Sequence, residues 1–195
     1  MSRTAEIERN TNETKIKVEL NLDGGGLYRI ETGIGFFDHM LAQTARHGFL
    51  DLTLKCSGDL NVDTHHTVED AGIALGMAFA AALGDKGGIC RYGSKITPMD
   101  ESLALCALDF SGRPFLSFDV AFPVPRIGDL DTEMIEEFFR AFTVQAGCTL
   151  HIKLLSGGNT HHMAEVVFKA FGQAIDQAVS ADPRITGPRS TKGVL

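Results

Sequence analysis

Thr64-His65-His66-Thr67-Val68-Glu69-Asp70 and Thr160-His161-His162-Met163-Ala164-Glu165 are one short pattern written twice, 96 residues apart. The two copies hold four of the chain's seven histidines, and each runs on into an apolar, alanine-rich stretch. On a helix, side chains three and four apart share a face. Glu69 therefore sits with His65 and His66, and Glu165 with His161 and His162. Neutral imidazoles beside a carboxylate make a corner suited to a transition metal. A single His-His pair is more often an ordinary surface or core pair. Two pairs in register point instead to a metal site built by a duplicated fold. Neighbouring residues on a helix point about 100° apart, so the two histidines of a pair are expected to serve different ions. Each ion would then gather ligands from both halves, within one subunit or across an interface.

The same shift of 96 carries Ala74 onto Ala170, Gly76 onto Gly172, Ala78 onto Ala174 and Ala82 onto Ala178. Outward from the paired helices, residues 50–56 and 149–155 alternate as strands. Before them, helical spacing over 36–47 stops at Gly48, and a helix capped by Asp131-Thr132 stops at Gly147. Asp38, His39, Gln43 and His47 form a polar stripe on the first of these helices. Counted back from Gly48 and Gly147, Glu137 occupies the neighbourhood of His39 in the second half. Strict alternation over 15–22 predicts a half-buried strand, with 27–31 returning through Asp23-Gly24-Gly25-Gly26 as its hairpin partner. Residues 5–9 are a further candidate to pair. Residues 101–110 and 115–122 predict two strands around the turn Ser111-Gly112-Arg113-Pro114.

The repeated order predicts an α+β fold: an internally duplicated half-domain, each copy a mixed four-stranded sheet with helices on one face. The first half is expected over 1–92, the second over 93–182, and a basic tail over 183–195.

With 25 acidic against 18 basic residues the chain is moderately acidic, which argues against a dedicated nucleic-acid partner. No apolar run reaches membrane-spanning length and the first residues carry no signal-peptide core, so the expectation is a cytoplasmic protein with no membrane partner. The four cysteines at 56, 90, 106 and 148 show no ligand spacing and read as reduced thiols.

The tail reverses the acidic tone: Arg184, Arg189 and Lys192 with hydroxyls at Ser190 and Thr191, and no acid after Asp182. Such a tail can close over a phosphate. Arg91 in the glycine-rich link, Arg113 at the turn and Lys169, one helical turn past Glu165, add positive charge for a small phosphorylated substrate. Glu13, in Asn12-Glu13-Thr14, reads on its own as a solvated carboxylate at a strand end. His151 sits among strand residues and reads as structural or as a support to the ligands.

Taken together, Asn12-Glu13-Thr14, Phe37-Asp38-His39-Met40-Leu41, the block from Asp63 to Asp70, Gly157-Gly158-Asn159-Thr160-His161-His162 and Lys192-Gly193-Val194-Leu195 resemble the imidazoleglycerol-phosphate dehydratases of histidine biosynthesis. The resemblance runs essentially end to end. It implies a fold of the kind also found in a ribosomal-protein domain, two Mn2+ ions per active site, and a homo-oligomer of twenty-four subunits with sites at subunit contacts. It also implies conversion of D-erythro-imidazole glycerol phosphate to imidazole acetol phosphate. The implied metal ligands are His39, His65, His66, Glu69, Glu137, His161, His162 and Glu165, with Glu137 at a point where some members carry a liganding histidine. The implied substrate contacts are Gln43, His47, Arg91, Arg113, Lys169, Ser190 and Lys192.

The chemistry so implied is a metal-assisted elimination through an imidazolate and a diazafulvene-like intermediate, without redox or an organic cofactor. On this reading Glu13 becomes the acid/base candidate, because a carboxylate within reach of the reacting carbon is required. Two other classes fit the ligands: a dinuclear metallohydrolase acting on a phosphorylated small molecule, and a metal-storage protein. The second would have no use for the basic groups.

Overall fold

The computed structural model describes residues 3–195. The first half runs β1 (Thr4–Asn10), β2 (Thr14–Asn21), β3 (Tyr28–Glu31), α1 (Gly35–His47), β4 (Asp51–Gly58) and α2 (His65–Leu83). The second runs β5 (Tyr92–Met99), β6 (Ser102–Asp109), β7 (Phe115–Asp119), a short hairpin of β8 (Arg126–Ile127) and β9 (Leu130–Asp131), α3 (Glu133–Ala146), β10 (Thr149–Ser156) and α4 (Thr160–Val179). The two four-stranded sheets have matching orders, β1-β2-β4-β3 and β5-β6-β10-β7. In each, the first three neighbours pair antiparallel and the last pair is parallel. The expected α+β duplication is therefore present.

Alternation decides which face of each sheet is covered. Ile16, Val18 and Leu20 of β2, Leu52 and Leu54 of β4, Ala104, Cys106 and Leu108 of β6, and Leu150 and Ile152 of β10 are all buried, while the residues between them reach solvent to varying degrees. Helices α1 and α2 cover the first sheet, α3 and α4 the second, and the halves join through α2 against α3 and α1 against α4. Exchanging the halves turns one helix contact into the other, as a two-fold relation requires. Phenylalanines fill the join: Phe37 meets Phe138 at 5.4 Å between ring centroids, and Phe79 meets Phe142 at 5.2 Å, both edge-on.

Three expectations about the strands need correction. Residues 27–31 do not pair with β2. The turn at 11–13 places β1 on one edge of β2, and β4 takes the other. The Asp51 carboxylate accepts the N–H groups of Gly25 and Leu27, which leads β3 to the far edge of β4, where it runs parallel. Likewise β6 and β7 flank 111–114 but are not neighbours, because β10 lies between them. Finally, β5 begins within residues read as a link and runs beyond them, since its exposed Tyr92 and Ile96 and its Pro98 mask the alternation of an edge strand.

The helix starts are fixed locally. Asp63 accepts the backbone N–H of His65 at 2.8 Å, and Asn159 accepts that of His161 at 2.9 Å. Equivalent caps thus set both His-His pairs in the first turn of their helices. No helix among the described residues is long and apolar enough to cross a membrane.

Candidate functional site

The two helix contacts bring ligand-type groups together twice. At the α1–α4 contact, His39 Nε2 and His161 Nε2 lie 3.1 Å and 3.0 Å from the same oxygen, Glu165 Oε2. Its other oxygen pairs with Lys169 Nζ at 2.7 Å, so Lys169 does point to the histidine end of its helix. Burial raises the Glu165 pKa, but Lys169 and the two imidazoles outweigh it and hold the carboxyl at about 2. A buried, ionised carboxylate with two imidazole nitrogens converging on one oxygen is a donor set that fits a divalent ion.

At the α2–α3 contact, His65, Glu69 and Glu137 offer ligand atoms within 4.8 Å of one another. Here His65 Nε2 is 3.7 Å from Glu69. Arg140, one turn past Glu137, joins both carboxylates, donating to Glu69 at 3.0 Å and forking onto Glu137. Its guanidinium is the chief reason the Glu137 pKa lies below the ordinary value. Glu137 is thus placed beside His65 and Glu69, with its charge already answered by Arg140. No hydrogen bond or ion pair among the described residues links this cluster to the one around Glu165.

The second histidine of each pair turns away from its cluster, as adjacent helical positions must. His66 faces Asp59 with Nδ1 and Glu13 with Nε2, the latter at 3.7 Å. His162 faces Glu101 with Nδ1 at 3.0 Å. Glu13 is half exposed, on the turn between β1 and β2, where its N–H donates to the Thr11 hydroxyl. Thr14 and Arg9, either side of that turn, both engage Asp70, which follows Glu69 on α2.

The expected substrate contacts fall in two places. Arg91, Arg113, Ser190 and Lys192 line one cleft of about 460 Å³ together with Tyr92 and Arg189. Arg91 is buried, donates to both oxygens of Asp109 at 2.6 and 3.0 Å and to the Arg189 carbonyl at 2.7 Å, and lies over the Tyr92 ring. Arg113 is largely exposed. Four cations against one carboxylate give the cleft the sign of an anion site. Gln43, His47 and Lys169 lie elsewhere, on α1 and α4. Burial, then the nearby Lys169, lowers the His47 pKa and favours its neutral ring. His151 is exposed on β10 beside Phe115, and no hydrogen bond or ion pair among the described residues joins it to a candidate ligand.

Asp59, Glu101, Asp109 and Arg140 were invisible to the repeat argument. Asp59 and Arg140 have no like residue at the matching place in the other half, and Glu101 matches Glu13 only by a shift of 88 that follows the sheet register and not the 96 of the paired helices.

Fold and site together define a duplicated α+β protein with histidine–carboxylate clusters of metal-binding type at its two helix contacts and a cationic cleft beneath its C-terminal tail. Comparison with known proteins makes this particular. The family model for imidazoleglycerol-phosphate dehydratase matches residues 32–175. Relatives of that name from Heliobacterium modesticaldum and Desulforamulus reducens are 61% and 57% identical, the first covering 99% of this chain and all of its own length, the second all of both. Crystal structures of that enzyme from Staphylococcus aureus and Pyrococcus furiosus superpose with a TM-score of 0.83 each. They are 39% and 35% identical and cover 92% and 97% of this chain, and 99% and 100% of their own. The chain belongs to the imidazoleglycerol-phosphate dehydratase family.

Proposed function

We propose that this chain dehydrates D-erythro-imidazole glycerol phosphate to imidazole acetol phosphate, as a lyase of histidine biosynthesis, with two Mn2+ ions at each active site. The observation that carries the metal reading is the convergence of His39 and His161 on the ionised Glu165, repeated in kind by His65, Glu69 and Glu137. Nitrogen and carboxylate donors without thiolate suit manganese, iron or zinc. His66 and His162 would complete the ligand set. Bound there, such ions supply Lewis acidity to the substrate's imidazole ring.

The chain's own residues do the rest. Loss of the hydroxyl on the carbon next to the ring, as water, passes through a diazafulvene-like stage; Glu13, exposed beside His66, takes the proton from the second carbon, and the enol so formed becomes the ketone at that carbon. Arg91, Arg113, Ser190 and Lys192 hold the phosphate under the tail, and Gln43, His47 and Lys169 orient the glycerol chain. Asp109 keeps the Arg91 guanidinium fixed, so its orientation is set before an anion arrives.

A single chain separates these groups, which supports assembly of sites from several copies in a shell of twenty-four subunits. Leu27, Tyr28, Ile96 and Phe115 are more than half exposed, apolar surface that such contacts would cover.

The test is turnover of imidazole glycerol phosphate by metal-stripped protein before and after Mn2+ is added. Formation of the ketone only with Mn2+ supports the reading. Metal uptake without turnover, or hydrolysis releasing phosphate, hands it to the storage or metallohydrolase class.

A further inference from the structure

Two carboxylates outside the clusters stand behind the second histidine of each pair. Asp59, just after β4, places Oδ2 3.0 Å and Oδ1 3.2 Å from His66 Nδ1. Glu101, at the turn between β5 and β6, places Oε2 3.0 Å from His162 Nδ1. The shift that carries His66 onto His162 carries Asp59 onto Leu155, not onto Glu101. Glu101, on the β5–β6 turn, is instead the counterpart of Glu13 on the β1–β2 turn, and each faces the second histidine of its half. The carboxylate on Nδ1, however, comes from that turn in one half and from after β4 in the other, so what the halves share at Nδ1 is the contact and not the position, which points to a requirement on the ring.

That requirement follows from the chemistry of the ring. An ionised carboxylate only accepts hydrogen bonds, so the nitrogen facing it carries the proton. A neutral imidazole protonated on Nδ1 has its lone pair on Nε2. In His66 that nitrogen is the one turned toward Glu13.

We propose that Asp59 and Glu101 are positioning residues that lock His66 and His162 in the Nδ1–H tautomer and present both Nε2 lone pairs to divalent ions. The inference rests on the metal reading given above. It also assigns a role to the trio of Asp100, Glu101 and His162, whose ligand-type atoms lie within 4.8 Å of one another. They do not form a third ion site. Glu101 Oε1 is already engaged by the Asn159 N–H at 2.8 Å and the Ser102 hydroxyl at 3.3 Å. Asp100 is three-quarters exposed and 3.9 Å from the same ring nitrogen that Glu101 already holds.

The residues permit a clean set of variants. The Asp59 side chain bonds only His66 among the described residues, so Asp59→Ala removes the orienter alone. Asp59→Asn retains an oxygen that can accept from Nδ1 and serves as the conservative rescue. In Glu101→Gln, the amide oxygen can keep the Asn159 contact while the NH2 group faces Nδ1 as a donor, which favours the opposite tautomer.

Two readouts separate orientation from stability: the histidine tautomers of the metal-free assembly by 15N solid-state NMR, and Mn2+ affinity by the paramagnetic resonance of free Mn2+. Asp59→Ala and Glu101→Gln should each shift one ring toward Nε2–H and weaken Mn2+ binding about 10- to 100-fold, with Asp59→Asn near wild type. Wild-type tautomers and affinity in both Asp59→Ala and Glu101→Gln would overturn the positioning role alone. Wild-type protein that takes up no Mn2+ would overturn the metal reading, and this role with it.

Discussion

Gly172 on α4 lies beneath the carbonyl of Thr44 on α1: a β-carbon at 172 would stand 2.6 Å from that oxygen. In the other half a β-carbon at Gly76 would stand 2.7 Å from the Phe142 carbonyl. These two glycines are matched by the 96-residue shift, and each marks a close approach where helices from opposite halves cross. Backbone oxygens cannot swing aside as side-chain ends do. Gly172→Ala and Gly76→Ala should each cost about 1–3 kcal/mol through forced separation of the helices, read as a lower thermal midpoint. Gly25→Ala, where nothing lies within 4 Å, is the control and should be nearly neutral. Equal effects at all three positions would reject the crossing argument.

Asp51 links acid stability to the sheet edge. Its carboxylate accepts the N–H of Leu27 and then that of Gly25, and these bonds lower its pKa below the ordinary 3.8. A folded pKa below the unfolded one means the unfolded chain binds more protons in that interval, so stability rises with pH there. The contribution is complete above the unfolded value near 3.8 and is lost as pH falls through the lower folded value. Asp51→Asn should therefore flatten the fall in thermal midpoint between about pH 4.5 and pH 3 while leaving the β3 edge less stable at neutral pH. Parallel curves for wild type and variant would refute the assignment.

What the sequence makes legible follows from recurrence and period. The His-His pairs, their capping residues and the glycines of α2 and α4 recur at one spacing, so both the duplication and the ligand-bearing helices are readable. Strand neighbours are not. Residues 27–31 look like the return of a hairpin, and only the capture of Gly25 and Leu27 by Asp51, twenty-four or more residues on, sends them to the other side of β4. Asp59 and Glu101 escape notice for related reasons: Asp59 has no counterpart at the 96-residue shift, and Glu101 reaches His162 only because the β5–β6 turn, sixty-one residues earlier, folds against the start of α4. Glu13 is a solvated carboxylate by every local measure, and its nearness to His66 arises from the β1–β2 turn folding against α2.

That turn is anchored by Asp70, which is buried, ion-paired with Arg9 and hydrogen-bonded by the Thr14 hydroxyl. Removing the cation leaves a buried charge with a hydroxyl as its remaining partner. Arg9→Met should cost about 2–3 kcal/mol, below the 3–5 kcal/mol of a fully buried broken pair because Arg9 is about a quarter exposed. Arg9→Met combined with Asp70→Asn should recover part of the loss, since no unpaired charge remains. A double variant less stable than the sum of the two single changes would show that the pair is not the source of the effect.

The same anchoring bears on catalysis through Glu13, the residue after which Thr14 begins β2. Glu13→Gln preserves shape and hydrogen-bonding capacity but removes the proton acceptor, and its side chain is half exposed, so the fold has little to lose. Turnover of imidazole glycerol phosphate should fall about 10²- to 10⁴-fold, with Mn2+ content and KM close to wild type. That division is the signature of an interaction used in the transition state rather than in binding. Arg113→Ala should show the opposite division, because an exposed cation in the anion cleft acts on substrate retention: a raised KM with kcat changed far less. If Glu13→Gln instead loses affinity and rate together, Glu13 serves binding, and the proton must be taken by another group near His66.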